Sequence, residues 1–303
     1  MIRISKIEKS KSEYFANIII DFLKKYRVKM QSGKMKNIAY KLEYENLIND
    51  IFKTLDILIM GNIEEVLKIY NNLVNKYPKF LNDLFSKDLT DEQKKFNNYI
   101  KKIFNYNQII KKIAFELITE IFVKVCPYCN MNYTLYLNKR DKKTRPQFDH
   151  FYPKSIYPIL SLSLCNIVPV CERCNFIKKE KNFNIEEYLY PYNEGIEKER
   201  FFYYSYINAD TIKIDYLKNN KKINNNFKDL MLYELYNCHN DVVYEIIQKY
   251  KQLNEMSEEY YENYGIKISK NEMKSLLGYV SLDKIKNASL GKLTNDILDE
   301  VSK

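Results

Sequence analysis

The sequence predicts an α+β chain, mostly helical, with a small central core held by cysteines and a β-hairpin after it. Three observations predict this. Apolar residues recur at helical spacing through the first 120 or so positions and again from Phe227 onward. Between those stretches, residues 126 to about 190 lose the period and carry four of the six cysteines in two pairs. After them, Phe201–Ile207 and Thr211–Leu217 flank Asn208–Asp210 and read as two strands joined by a short turn. The regions so drawn are 1–120 (helical), 121–190 (core) and 191–303 (hairpin and C-terminal helices).

Taken in order, Tyr14, Ile18 and Phe22 form a first apolar stripe, and Ile51, Leu55 and Leu58 a second. Thr90-Asp-Glu-Gln93 has the pattern of a capping box opening a helix. Ile109, Ile110, Ile113, Phe115, Ile118 and Phe122 form a third stripe that stops just before Cys126. No chemistry is visible in this region, which reads as scaffold, partner contact or a basic surface. Lys139–Lys143 reads as a surface loop able to steer DNA. Lys218–Lys228, rich in Lys and Asn, reads as a loop or linker. Leu232, Leu235, Val242, Ile246 and Tyr250 suit one face of a C-terminal helix. There is no internal repeat.

Composition excludes several chemistries. The chain has 303 residues and only six glycines, no two closer than 13 positions. A phosphate-binding loop, a dinucleotide fingerprint and a nucleophile elbow each need two glycines within about six residues. The two histidines, His150 and His239, lie 89 positions apart, which excludes a zincin helix. The net charge of +10 is concentrated in two blocks: residues 1–50 carry 11 basic and 6 acidic side chains, and residues 101–150 carry 10 and 4. Such stretches suit a polyanionic partner, nucleic acid above all. The N-terminus lacks the apolar segment of a signal peptide. Tyr157–Cys171 is too short to span a bilayer and contains Pro158 and Pro169. The expectation is therefore a soluble, cytoplasmic protein with no membrane contact. Disulfides are rare there, and clustered cysteines more often hold a metal.

Cys126-Pro-Tyr-Cys129 and Cys171-Glu-Arg-Cys174 are two C-x2-C pairs with 41 residues between them. Together they supply four thiolates for a closed, tetrahedral structural zinc site. A thiol redox motif would need a βαβ setting that is absent here, and would not explain two pairs. Four sulfurs leave no position open for water, so this zinc staples and does no chemistry. Cys165 and Cys238 belong to no pair and read as small buried hydrophobes.

The chemistry is sought in the stapled segment. Asp149-His150 lies between the knuckles, Asn166 precedes an apolar strand, and Asn175 follows the last cysteine. These residue types suit metal-assisted phosphodiester hydrolysis, which needs a base for water and a cation for the developing charge. His150, with an ordinary pKa near 6.5, suits the base. Asp149 and the Asn175 amide oxygen are hard donors for Mg²⁺ or Mn²⁺, ions that keep most of their waters. Neighbours on a strand face opposite ways, so if both Asp149 and His150 serve one site the strand must end or distort there. Asn166 is expected to orient the His150 loop through backbone hydrogen bonds. Arg145, Lys154, Lys178 and Lys179 are candidate phosphate contacts, and Lys178, one turn after Asn175, should share its face. His239 reads as structural.

The run C-x2-C, D-H-F-Y-P-K-S, N-I-V-P and C-x2-C-N-x2-K-K resembles HNH endonucleases of the ββα-metal fold. The resemblance covers about 55 residues. It implies a strand with Asp149-His150, a loop to Asn166 and a second strand, and a short helix carrying the last metal ligand. It implies His150 as general base, Asn166 as the central Asn, and Asp149 with Asn175 on the catalytic ion. The third motif letter is Asn here rather than His, which bears on the metal assignment. Leu235-Tyr-Asn-Cys-His-Asn-Asp-Val-Val243 and Leu290-Gly-Lys-Leu-Thr-Asn-Asp-Ile-Leu298 resemble the C-terminal helices of bacterial HNH proteins encoded beside ATPases. The PtuB-type nuclease subunits of Septu anti-phage systems are of this kind. That resemblance implies an ATPase partner and a defence role. Two other readings stay open: a catalytically inactive zinc-binding module, and an effector that cleaves RNA.

Overall fold

The computed structural model describes residues 1–32, 44–81, 88–139 and 142–303. Helices dominate, with three short antiparallel strand pairs among the described residues. The N-terminal region holds α1 (Lys9–Gln31), α2 (Glu45–Lys53), α3 (Leu55–Met60), α4 (Ile63–Lys76), α5 (Pro78–Leu81), α6 (Asp91–Phe104) and α7 (Tyr106–Ile121). The centre holds β1 (Leu137–Lys139), β2 (Lys142–Thr144), β3 (Gln147–His150), β4 (Ile167–Val170) and α8 (Glu172–Lys178). The rest holds β5 (Phe202–Tyr206), β6 (Ile212–Tyr216), α9 (Lys221–Asp229), α10 (Leu232–Asn237), α11 (Asn240–Tyr264), α12 (Lys270–Leu276) and α13 (Gly291–Val301).

In α1 the buried stripe is Phe15, Ile19 and Leu23, while Tyr14 is exposed. Apolar residues stand at both 14 and 15, 18 and 19, and 22 and 23, so the period alone fits two registers; packing selects the one shifted by one residue. Ile51, Leu55 and Leu58 are all buried, as expected. The Thr90 capping box is present: the Gln93 amide donates to Thr90 Oγ1 at 3.2 Å and the Thr90 amide to Gln93 Oε1 at 2.9 Å. α6 and α7 meet at Asn105, whose φ of +28° is left-handed, a conformation Asn tolerates better than most residues. α7 buries Ile109, Ile110, Ile113, Leu117 and Ile118, and stops at Phe122, which is left-handed and exposed.

The β5–β6 hairpin pairs Phe202 with Tyr216 and Tyr206 with Ile212 around the expected turn. Lys218–Lys228, expected as a linker, is largely helical: α9 is capped by Asn220, whose side chain accepts from Lys222 N at 2.8 Å. Phe227 and Asn226 anchor it, the latter accepting from Leu189 N at 2.8 Å. Cap and anchor override the poor propensity of the three asparagines within α9. Lys139–Lys143 is likewise no plain loop: β1 and β2 pair Leu137 with Thr144, with residues 140–141 outside the described residues. The C-terminal stripe is broken between α10 and α11 and buries Leu232, then Val243, Ile247 and Tyr250. Leu235, Val242 and Ile246 are only half-buried. One apolar cluster contains Leu23, Ile113, Tyr128, Val168, Phe202, Val243 and Ile297, so the three regions share a core. No described helix is long and apolar enough to cross a membrane.

Candidate metal centre and reaction face

The four knuckle cysteines converge. Their Sγ atoms all lie within 4.8 Å of one another and all four residues are buried. A zinc ion bonded to four sulfurs at about 2.3 Å implies sulfur–sulfur edges of about 3.8 Å. Cys129 Sγ and Cys171 Sγ are 3.9 Å apart, so the donor set fits. The first knuckle is a tight turn: Asn130 N donates to Cys126 O at 2.8 Å, and Asn130 takes the left-handed φ of +50° that Asn tolerates. Cys171 caps α8, which gives the second knuckle its turn.

The two C-terminal motifs meet at this first knuckle. Tyr236 Oη donates to Cys129 O at 2.8 Å. Leu290 N donates to Asn130 O at 2.6 Å, and Lys292 N to Asn130 Oδ1 at 3.0 Å. Asn130 Nδ2 in turn donates to Ile285 O and Ala288 O. Asp296, paired with Lys292 Nζ at 2.6 Å, accepts from the amides of Phe201 and Phe202 at the start of the hairpin. Both sequence motifs thus have internal jobs. Cys238 is exposed rather than buried. Cys165 is partly buried, and burial pushes its thiol up to about 12. His239 sits half-buried where α10 gives way to α11.

β3 and β4 run antiparallel, with His150 opposite Ile167, and α8 packs on β3. The strand ends at His150, but Asp149 and His150 have separate partners, as strand alternation requires. On the α8 side, Asn175 Nδ2 donates to Gln147 Oε1. Lys178 Nζ lies 3.1 Å from each Asp149 oxygen, and Tyr128 Oη donates to Asp149 Oδ2 at 2.6 Å. Tyr128 belongs to the first knuckle, so the four-cysteine cluster is tied to this carboxylate through a hydrogen bond. Lys178 also donates to His150 O at 2.8 Å and is fully buried. Burial pushes Asp149 up and Lys178 down, and their mutual attraction opposes both shifts.

The expectation for Lys178 is therefore corrected. It shares the face of Asn175, but that face is turned onto β3, so Lys178 is no surface phosphate contact. The same bonds bear on a catalytic divalent ion. Asp149 is buried with both oxygens engaged by an ammonium and a phenol, and the Asn175 amide is bonded to Gln147. This donor set does not fit Mg²⁺ or Mn²⁺ as it stands.

His150 faces the other way. Its Nε2 lies 2.9 Å from Ser161 O, and its ring meets the Tyr106 ring edge-on at 4.5 Å. A carbonyl only accepts, so Nε2 carries the proton and Nδ1 the lone pair in the neutral ring. Burial, with Lys154 and Lys178 adding, pushes His150 down to about 3, so the ring is neutral at pH 7. Asn166 is fully buried and holds the turn after β3: its Oδ1 accepts from Tyr152 N at 2.7 Å, and its Nδ2 donates to Tyr152 O and Leu160 O. Arg145 is half-buried over the Phe148 ring, Lys154 lies over Tyr106, and Lys179 is exposed over Phe176. Tyr106, Ser161 and Tyr128 escape sequence reasoning because only the fold brings them near. Cys126-Pro-Tyr-Cys129 did hold a signal, a tyrosine inside the knuckle.

No family profile matches the chain, and no solved structure does. A curated relative, "Protein ea31" of Escherichia phage lambda, is 29% identical over 87 residues, which are 29% of this chain and 26% of that protein. The chain thus matches about a quarter of that relative's length.

Proposed function

We propose that the chain hydrolyses phosphodiester bonds in nucleic acid, DNA in the first instance, with His150 as general base. One observation carries the reading: His150 Nε2 lies 2.9 Å from the Ser161 carbonyl, which leaves Nδ1 as the lone-pair nitrogen able to accept a proton; burial lowers its basicity, a shift that substrate charge beside the ring would oppose. Water would give one proton to Nδ1 as its oxygen bonds to phosphorus; the bond from phosphorus to the leaving sugar oxygen would break, and that oxygen would take a proton from solvent. The resulting imidazolium would be held by Ser161 O, and the phosphate charge would be met by Lys154. Asn166 would act by fixing the turn that carries Tyr152 and Leu160 beside the site. The zinc, where bound by Cys126, Cys129, Cys171 and Cys174, would supply a rigid frame and no reacting group. No step is routed through a divalent ion, because Lys178 and Tyr128 hold Asp149. The two C-terminal motifs, being used internally, add no weight to an ATPase partner or a defence role.

The test is cleavage of plasmid DNA, with structured RNA in parallel, by parent and His150→Ala protein of equal zinc content. General-base loss should lower the rate roughly 100- to 10,000-fold. Melting temperature and binding should change little by comparison. Full cleavage by His150→Ala would remove the reading. Cleavage of RNA alone would move the substrate.

A further inference from the structure

We infer that the N-terminal helices build a phosphate-binding subsite beside His150, in which Lys101 of α6 and Lys154 grip one backbone phosphate of the nucleic acid. This rests on the hydrolysis reading of His150 and assigns that site part of its substrate grip.

The geometry begins at the α6–α7 junction. Asn105, held in its left-handed turn, redirects the chain so that α6 ends and Tyr106 begins α7 at the same corner. Tyr106 then touches two groups at once: its ring meets His150 edge-on at 4.5 Å and lies under the Lys154 ammonium at 4.6 Å. On the other flank the 3-10 turn Pro158–Leu162 packs on α6 and α3 and presents Ser161, whose carbonyl holds His150.

These pieces surround an open cavity of about 290 Å³, lined by Lys101, Asn105, Tyr106, Lys154, Ser155 and Ser161 among others. Lys101 and Lys154 come from segments 53 positions apart, yet the charge of Lys101 is felt at Lys154. Neither makes an ion pair within 4 Å among the described residues. Glu180 is the one acidic lining residue and lies near Lys154, so the cavity keeps a net positive charge. The Ser155 hydroxyl is buried without a hydrogen-bond partner, although a buried hydroxyl ordinarily has one. Two unpaired ammonium groups and an unpartnered hydroxyl beside a neutral base are what an anionic, hydrogen-bond-accepting ligand would satisfy.

The test uses the full-length, zinc-loaded chain and a fluorescein-labelled 24-base-pair DNA duplex, with an RNA duplex of the same sequence. Fluorescence anisotropy is read against salt, on whichever duplex the parent binds more tightly. Lys101→Gln/Lys154→Gln should bind about tenfold more weakly, and its log–log salt slope should fall by about 0.9, the value for one phosphate released. Glu180→Gln should tighten binding. A matched control, Lys249→Gln/Lys251→Gln on α11, should change neither quantity. Unchanged affinity and slope in the Lys101/Lys154 variant, or no binding of either duplex by the parent, overturns the subsite. The two readings fail separately. Weaker binding by a protein that cuts nothing would sink hydrolysis alone. Cleavage that depends on His150 while the double variant binds normally would sink the subsite alone.

Discussion

The two faces of the β3–β4 pair use their polar groups to different degrees. On the face toward α8 and the knuckles, Gln147 is bonded to Asn175, and Asp149 to both Lys178 and Tyr128. Asn130 and Cys129 beyond them are bonded to α13 and α10. On the opposite face, the His150 ring makes one hydrogen bond, and Lys101 and Lys154 border an open cavity without ion pairs among the described residues. The closed face has the character of a staple. The open face has the unmet hydrogen-bonding capacity that a substrate requires. On the proposed reading, the contrast separates a candidate structural metal site from a candidate reaction site within one segment of about 55 residues.

The largest way to break the comparison is at the zinc. Cys171→Ser removes one of four donors. Structural zinc contributes roughly 10–16 kcal/mol of apparent binding energy in small domains. The variant should lose its zinc and its cooperative melting, read by metal analysis and calorimetry. Normal zinc content would contradict the four-sulfur site.

Next in size is the buried ion pair. Lys178→Met leaves the Asp149 charge uncompensated among buried groups and should cost about 3–5 kcal/mol in urea unfolding. Adding Asp149→Asn should return most of that loss, because the stranded charge is then gone. An exposed, phosphate-contacting lysine would show neither effect.

What the sequence made legible was local. Both knuckles, the Thr90–Gln93 box and the β5–β6 turn are patterns within a few residues, and each stands where expected. The environment of the candidate site was legible only in part. Asp149, His150 and Asn166 were singled out from their order, but Tyr106 and Ser161 reach His150, and Lys101 comes near Lys154, through tertiary packing. Lys178 was misread because i, i+3 spacing says that it shares Asn175's face and not which way that face points. α9 was missed because its stability comes from one cap and from Asn226 and Phe227 reaching the core, against a composition typical of loops.

A smaller effect sharpens the contrast by pH. The folded-state pKa of His150 is pushed from 6.5 down to about 3 by burial. Between those values the unfolded chain binds a proton that the native chain does not, so this residue's contribution falls as pH drops through 6.5 and levels off below about 3. Relative to His150→Gln, the parent should lose up to about 1.4 kcal/mol of stability per pH unit inside that window. Equal pH dependence of the two would mean that His150 is open to water.

The separation of staple from chemistry is tested most directly by X-ray absorption at the zinc edge of the purified chain, with and without added nucleic acid. The account predicts four sulfur neighbours at about 2.3 Å, the closed structural geometry, unchanged when nucleic acid binds. An oxygen or nitrogen neighbour, or a shell that changes with nucleic acid, would place the metal in the reaction and contradict it.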